Sequence, residues 1–186
     1  MVEYGVAKRM LLGQGESGDL HLVCCNRNGV LIAAIDGLGH GEEAADASKA
    51  AAALLRSSAD HAIISLVERC HEGLRATRGV VLSLAFIDHE HGVLMRADAK
   101  RGNVQEMLLL RAGVVGAQLP PLQATVLPIS RGDTLFLATD GIRTSFSTSL
   151  SALENPQRAA DRILKQYGNG NDDALVLVAR LTGVKP

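Results

Sequence analysis

The sequence has 186 residues, of which 47% are apolar and 21% are charged. This length and composition predict one globular domain spanning residues 1–186, with enough apolar residues to fold on its own. The net charge is −1 and only 3% of the residues are aromatic, so the chain lacks both the positive field and the stacking surfaces that nucleic-acid binding requires. We therefore expect no nucleic-acid partner.

The cysteines and the hydropathy pattern suggest a cellular location. Cys24, Cys25 and Cys70 are an odd number and do not have the spacing of zinc ligands. They predict buried, free thiols in a reducing compartment. Residues 1–10 show no leader pattern, and no apolar stretch is long enough to span a bilayer. We expect a cytoplasmic monomer without a membrane partner.

The first part of the chain predicts three strands. Apolar residues alternate or run continuously over residues 2–12, 19–25 and 30–35. The residues Asn26–Gly29 between the last two favour a hairpin turn. The third strand leads directly into the glycine-rich segment Asp36–Gly41, which places Asp36 at the end of a strand.

Two helices are predicted next. Residues 42–58 have small apolar residues at helical spacing and two acidic residues in the first turn. Asp60 is the expected N-cap of a second helix, whose buried stripe includes Ile63, Val67 and Cys70. Their small apolar side chains predict that the helices pack against a sheet.

The second half of the chain returns to strands. Residues 80–87, 93–97 and 104–110 predict an antiparallel meander, and the proline-containing segment 113–130 predicts an irregular surface loop. Residues 134–139 predict a buried strand that ends at Asp140. A helix over residues 151–167 and a last strand over residues 174–181 complete the pattern. This order predicts an α+β fold with sheets covered by helices.

Aspartates lie where predicted turns meet predicted strands: Asp19, Asp36, Asp140 and Asp172 or Asp173. Clustered carboxylates repel one another and lose hydration, so they stay ionised only when a cation compensates them. Hard divalent cations prefer oxygen ligands. The pattern therefore predicts a Mg²⁺ or Mn²⁺ site. The alternative is that each aspartate only ends its strand by bonding its own backbone.

Four motifs occur in an order that resembles a known family: Ser17-Gly18-Asp19, Asp36–Gly41, Gly132–Gly141 and Asn171-Asp172-Asp173. This is the order found in the metal-dependent type-2C protein phosphatases, and the sequence is most similar to the bacterial branch typified by SpoIIE. The resemblance implies an α-β-β-α arrangement, in which two antiparallel sheets form a β-sandwich flanked by helices. It also implies two Mn²⁺ or Mg²⁺ ions at one end of the sandwich.

The resemblance assigns roles to residues of this chain. It implies metal ligands at Asp19, Asp36, the carbonyl of Gly37, Asp140 and Asp172, with Asp173 orienting its neighbour or binding through water. Asp19, Asp36 and Asp140 would be catalytic through a metal-activated water that attacks phosphorus directly. The implied substrate is phosphoserine or phosphothreonine on a protein partner, with scaffold proteins of the stressosome as candidates.

The chain departs from the family pattern at two positions. Leu38 stands where many relatives have a histidine that protonates the leaving group, and Gly15 stands where eukaryotic relatives have an arginine that binds phosphate. For the proton donor, His40 and a water of the site remain open. The candidates for phosphate binding are Lys8, Arg9 and Arg143, each of which could equally be an ordinary surface charge.

Two other functions remain as alternatives. The missing histidine and arginine are compatible with a binding module of the same fold that has lost catalysis. A loop that cradles a nucleotide at Gly37–Gly41 is disfavoured, because Glu42 and Glu43 would repel a bound phosphate and the loop has no Gly-Lys-Ser/Thr ending. The turn histidines His89 and His91 are interpreted as solvated.

Overall fold

The computed structural model describes residues 2–88, 90–98, 113–151 and 154–183. The strands are β1 Val2–Arg9, β2 Asp19–Cys25, β3 Gly29–Gly37, β4 Val80–Asp88, β5 Val93–Asp98, β6 Gln123–Pro128, β7 Thr134–Ala138 and β8 Ala174–Leu181. The α-helices are α1 Glu42–Ser57, α2 Ile63–Gly73 and α3 Pro156–Tyr167, and a short 3-10 helix spans Thr144–Ser149.

The strands form two antiparallel sheets. One has three strands in the order β1-β8-β7, and the other has five strands in the order β2-β3-β4-β5-β6. The first and last strands of the chain therefore pair with each other, and each residue of β1 faces one of β8. This pairing brings the end of β1 next to the start of β8.

The buried side chains of β3 alternate between two cores. Leu31, Ala33 and Ile35 pack with α1 and α2 on one face of the five-stranded sheet. Val30 and Ile32 point to the opposite face and pack against the three-stranded sheet. Since both faces are covered, the strand is a continuous apolar run rather than a half-polar one.

The strand β8 has the corresponding role in the other sheet. Leu175 and Leu177 belong to the core between the sheets, whereas Val176 and Val178 pack against α3. The layers are therefore helices, five-stranded sheet, three-stranded sheet and helix. This arrangement confirms the predicted α+β fold with a helix-flanked β-sandwich. None of the helices in the described ranges is both long and apolar enough to cross a membrane.

Some predicted boundaries were wrong. Asp60 does not cap the second helix, which begins at Ile63 after Ala62 without a side-chain cap. The last helix begins at Pro156 rather than at residue 151, because the Asn155 side chain accepts hydrogen bonds from the first-turn amides of Gln157 and Arg158.

Other differences concern a strand and two cysteines. The segment predicted to be irregular contains β6, an edge strand whose side chains are mostly exposed. All three cysteines are free, but Cys25 is exposed, Cys24 is partly buried and only Cys70 is buried. The predicted strand over residues 104–110 and the predicted turn residue His89 lie outside the described residues.

Candidate metal centre

Two of the predicted acidic residues lie side by side at one end of the β-sandwich. Asp19 is the first residue of β2 and Asp36 is the next-to-last residue of β3, and the strand register pairs them directly. Asp19 is only 2% exposed and Asp36 is partly buried. The hairpin between the two strands therefore places two carboxylates together at its open end.

The other acidic residues reach the same end from the second sheet. Asp140 follows β7, and Asp172 and Asp173 precede β8. The two segments pack backbone to backbone, since a Cβ on Gly141 would lie 1.9 Å from the carbonyl oxygen of Asp173. Glycine is thus required at position 141 to bring Asp140 close to the Asp172-Asp173 pair.

The close grouping of the aspartates perturbs their ionisation. The pKa of Asp19 is raised from 3.8 to about 7 and that of Asp36 from 3.8 to about 8, and burial is the largest cause for both. The negative charges of the neighbouring aspartates also contribute to both increases, and for Asp36 the largest of these charge contributions comes from Asp19. The site therefore needs positive charge to hold its carboxylates ionised near neutral pH.

Thr139 orients the carboxylate of Asp19. Its hydroxyl donates a 2.6 Å hydrogen bond to Asp19 Oδ2 and accepts one from the backbone N–H of Leu175 at 2.9 Å. The bond to Thr139 lowers the pKa of Asp19, against the effect of burial. Thr139 was not singled out from the sequence, although a buried threonine directly before Asp140 in an apolar strand is a signal for such a role.

Asp173 forms hydrogen bonds to the backbone of the loop that precedes Asp19. Its Oδ1 accepts the backbone N–H of Leu11 and its Oδ2 accepts that of Gly18, both at 2.7 Å. The side chain is almost fully buried. Asp173 therefore positions the chain segments at Leu11 and Gly18, whereas the orientation of Asp172 or metal binding through water, which the resemblance implies for it, stays a prediction.

Gly37 lies where the end of β3, the loop before β2 and helix α1 meet. Its backbone N–H donates to the carbonyl of Gly18 at 3.1 Å. A Cβ at this position would lie 2.0 Å from the carbonyl oxygen of Ala44 in α1. The Ser48 hydroxyl also donates to the carbonyl of Gly18. These contacts fix the backbone on both sides of the Asp19–Asp36 pair.

Of the three predicted phosphate-binding candidates, Lys8 lies closest to the acidic residues. Its ammonium donates to the backbone carbonyl of Asp19 at 3.0 Å. The Arg9 guanidinium lies against Gly168, and its Nη2 is buried without a hydrogen-bond partner. Arg143 instead donates to the carbonyls of Gln166 and Tyr167 at the end of α3, so it stabilises the helix terminus.

The loop that follows Asp36 is exposed beyond Gly37. Leu38 and His40 both face solvent. Arg78, which the sequence analysis did not consider, lies over Gly39 and forms an ion pair with Glu43 in the first turn of α1. Lys8 therefore places a positive charge beside Asp19, and Arg78 places one over the loop that follows Asp36, where it is paired with Glu43.

The chemistry of the donor set fits divalent cations. Carboxylate oxygens that are buried together, with pKa values raised by burial and mutual repulsion, match the preference of Mg²⁺ and Mn²⁺ for hard, negatively charged ligands. Within the described part of the chain, however, no group of three or more His, Cys, Asp or Glu side chains is arranged to hold a metal ion. The metal ligands therefore stay predictions.

Comparison with solved structures identifies the fold. The sequence matches no protein-family model and no curated protein sequence. A structure described with the words "The bacterial stressosome: a modular system that has been adapted to control secondary messenger signaling" is similar with a TM-score of 0.85 and 28% identity. The alignment covers 97% of this chain and 100% of that chain.

Two further structures extend the comparison. RsbX in complex with magnesium has a TM-score of 0.82 and 20% identity, with 97% of this chain and 96% of that chain covered. The PP2C phosphatase domain of SpoIIE from Bacillus subtilis, with a fragment of its regulatory domain, has a TM-score of 0.75 and 21% identity over 100% of this chain and 64% of that chain. These neighbours confirm that the chain has the fold of RsbX and of the SpoIIE phosphatase domain, as the resemblance to the type-2C phosphatases implied.

Proposed function

We propose that this chain, which has the fold of the type-2C phosphatases, is a metal-dependent phosphatase for phosphoserine or phosphothreonine on a protein partner. The observation that carries the proposal is the grouping of four aspartates around Asp36 at one end of the sandwich, close enough for each to raise its pKa. Carboxylates in such a group repel a phosphate ester unless divalent cations lie between them and the substrate.

In this proposal Asp19, Asp36, Asp140 and Asp172 hold two Mn²⁺ or Mg²⁺ ions, together with the carbonyl of Gly37. Two ions at a phosphatase centre supply an activated water and neutralise the phosphoryl oxygens. Thr139 keeps the Asp19 carboxylate in one orientation through its 2.6 Å hydrogen bond. Asp173 acts on the backbone, because each of its oxygens already accepts an N–H.

The cations of the chain complement the acidic residues. Lys8, bonded to the Asp19 carbonyl at 3.0 Å, and Arg78, which lies over Gly39, attract the substrate phosphate towards the acidic end. His40 is exposed on the loop after Asp36 and is the candidate to deliver a proton to the departing serine or threonine oxygen. Leu38 cannot take this role because its side chain carries no proton donor.

The pathway and the location are also part of the proposal. The similarity to RsbX and to a structure described under the bacterial stressosome supports stressosome scaffold proteins as substrates. Three free cysteines support a reducing compartment, the cytoplasm. We expect the enzyme to act as a monomer, in line with a single domain over residues 1–186.

Hydrolysis of p-nitrophenyl phosphate tests the proposed chemistry. We expect turnover with Mn²⁺, loss of turnover with a chelator, and a decrease in kcat of at least about 100-fold in Asp36→Asn, because a neutral amide is a poor ligand for a divalent cation. The matched control is Asp46→Asn, which makes the same change at an exposed acid on α1 and should retain turnover. Full activity of Asp36→Asn would contradict the proposal.

The departures at Leu38 and Gly15 favour one other candidate function. A binding module of this fold would take up Mn²⁺ without hydrolysing phosphate esters. Isothermal titration with Mn²⁺, run beside the p-nitrophenyl phosphate assay, distinguishes the two. Stoichiometric uptake without turnover on either the small ester or phosphorylated stressosome scaffold proteins would favour the binding module.

A further inference from the structure

Three exposed apolar side chains lie in the two loops that adjoin Asp19 and Asp36 along the chain. Among the described residues, the large apolar side chains that are exposed are Tyr4, Met10, Leu12, Leu38, Val126 and Leu150. Met10 and Leu12 lie in the loop that leads into Asp19, and Leu38 lies two residues after Asp36. Leu12 is 94% exposed, far more than the others. Exposed apolar groups beside a reactive site are typical of an interaction surface.

The loop over residues 10–18, here called the entry loop, is held in one conformation by hydrogen bonds. The Asp173 carboxylate binds the backbone N–H of Leu11 near one end of the loop and that of Gly18 at the other. The N–H of Gln14 donates to the carbonyl of Leu11 at 3.3 Å and closes a turn over Leu12 and Gly13. Gly13 has a φ of 87°, which suits this turn.

The turn exposes Leu12 to solvent. The backbone hydrogen bonds of the loop determine this position, and the Leu12 side chain itself is almost fully exposed. The Gln14 side chain lies against Gly41, so the entry loop also contacts the segment that carries Asp36, Leu38 and His40. A protein bound at Leu12 would therefore lie on a loop that contacts both Asp173 and the segment following Asp36. This continuity favours the phosphorylated substrate itself as the occupant.

We infer that the entry loop is a preformed docking loop, in which Leu12 is an apolar anchor for protein substrates that carry apolar side chains close to the phosphorylated residue. The inference rests on the proposed function and adds a substrate preference to it. A loop whose backbone is already held in its bound conformation loses little backbone conformational entropy on binding. Burial of one leucine is therefore enough to change affinity about tenfold or more.

Two matched phosphothreonine peptides test the preference. They differ only at the positions two and three residues on either side of the phosphothreonine, which are all leucine in one and all glutamine in the other. We expect wild-type protein to have a kcat/KM at least about tenfold higher for the leucine peptide. Leu12→Gln should bring this ratio close to one. Val126→Gln, which changes an exposed apolar residue on β6, should leave the ratio as in the wild type.

The outcomes separate this inference from the proposed function. Turnover of p-nitrophenyl phosphate by the wild type, with equal kcat/KM for the two peptides, would overturn the docking loop and leave the phosphatase in place. If no ester is hydrolysed, the two peptides are compared by fluorescence anisotropy. Tighter binding of the leucine peptide that is lost in Leu12→Gln would then support the docking loop without the enzyme, and equal binding would overturn it.

A second copy of the chain is the competing occupant of this surface. Sedimentation velocity of the wild type and of Leu12→Gln addresses it. A wild-type dimer that dissociates in Leu12→Gln, together with an unchanged peptide ratio, would assign Leu12 to self-association and overturn the inference. A monomer in both proteins, with the ratio lost in the variant, supports it.

Discussion

At the scale of single residues, the aspartate carboxylates have different hydrogen-bond partners, which indicates that they have different roles. Each oxygen of Asp173 accepts one backbone N–H, and Asp19 is held by a hydroxyl. The pKa of Asp36 is raised by burial and by four other carboxylates, Asp19, Asp140, Asp172 and Asp173. Asp36 is thus the residue that a cation would stabilise most.

The hydroxyl of Thr139 gives the first residue-scale prediction. Thr139→Val keeps the shape of the side chain but leaves Asp19 Oδ2 and the N–H of Leu175 without their partner. Because both groups are buried, we expect a loss of about 2 kcal/mol in the free energy of unfolding. We also expect a higher Mn²⁺ concentration for half-maximal turnover of p-nitrophenyl phosphate, since Asp19 is no longer oriented.

Thr139→Ser is the control for this prediction, because it retains the hydroxyl. Urea unfolding and Mn²⁺ titrations of the three proteins measure both effects. Serine should restore the metal dependence of the wild type even if the lost methyl group lowers stability. Equal metal dependence of the valine variant and the wild type would show that Thr139 does not position Asp19.

The sequence indicated where the acidic residues lie along the chain but not how they are bonded. Asp19 and Asp36 could be placed at strand ends because turn residues interrupt apolar strands beside them. The bond from Thr139 to Asp19 joins residues 120 positions apart. The hydrogen bond from the Leu11 N–H to the Asp173 carboxylate joins residues 162 positions apart. Contacts of this range depend on the packing of the two sheets and on the pairing of β1 with β8, which local sequence patterns do not specify.

At the scale of secondary structure elements, the ends of β7 and β8 depend on a backbone contact. A Cβ at position 141 would lie 1.9 Å from the carbonyl of Asp173, so Gly141→Ala must push the two segments apart. We expect this variant to lose most turnover of p-nitrophenyl phosphate, because Asp140 moves away from Asp172. Displacing backbone in a packed region costs free energy, so we expect the free energy of unfolding to decrease by about 1–3 kcal/mol.

Gly15→Ala is the matched control, since a Cβ there would meet nothing within 4 Å. Urea unfolding and the ester assay compare the two variants. If Gly141→Ala retained the stability and activity of the control, the contact between these segments would not position the acidic residues.

Strands and helices could be predicted wherever burial alone determines the pattern of apolar residues. The last strand was placed at residues 174–181, as observed, because it is buried on both faces and continuously apolar. The strand β6, which lies at the edge of the described sheet, was missed because its side chains are mostly exposed and prolines occur just before it and at its end, a pattern that resembles a loop. The start of α3 was set by the cap at Asn155 rather than by helical periodicity, which is why the prediction began too early.

At the scale of the whole molecule, the acidic end makes stability depend on pH. The pKa values of Asp19 and Asp36 are raised to about 7 and about 8 in the folded protein, whereas the unfolded chain titrates near the ordinary value of 3.8. Between these values the folded state binds more protons than the unfolded state. Stability of the metal-free protein must therefore fall as the pH rises from about 4 to about 8, and level off above it.

Urea unfolding in the presence of a chelator measures this slope. We expect the free energy of unfolding to be lower at about pH 8.5 than at about pH 5.5 by on the order of 5 kcal/mol. Asp36→Asn removes one of the two buried charges and should flatten the slope and stabilise the protein at the higher pH. Asp46→Asn, at an exposed position, should leave the slope unchanged. Stability that is constant or increases over this range would mean that the two carboxylates are not buried together, because their paired burial is what raises both pKa values.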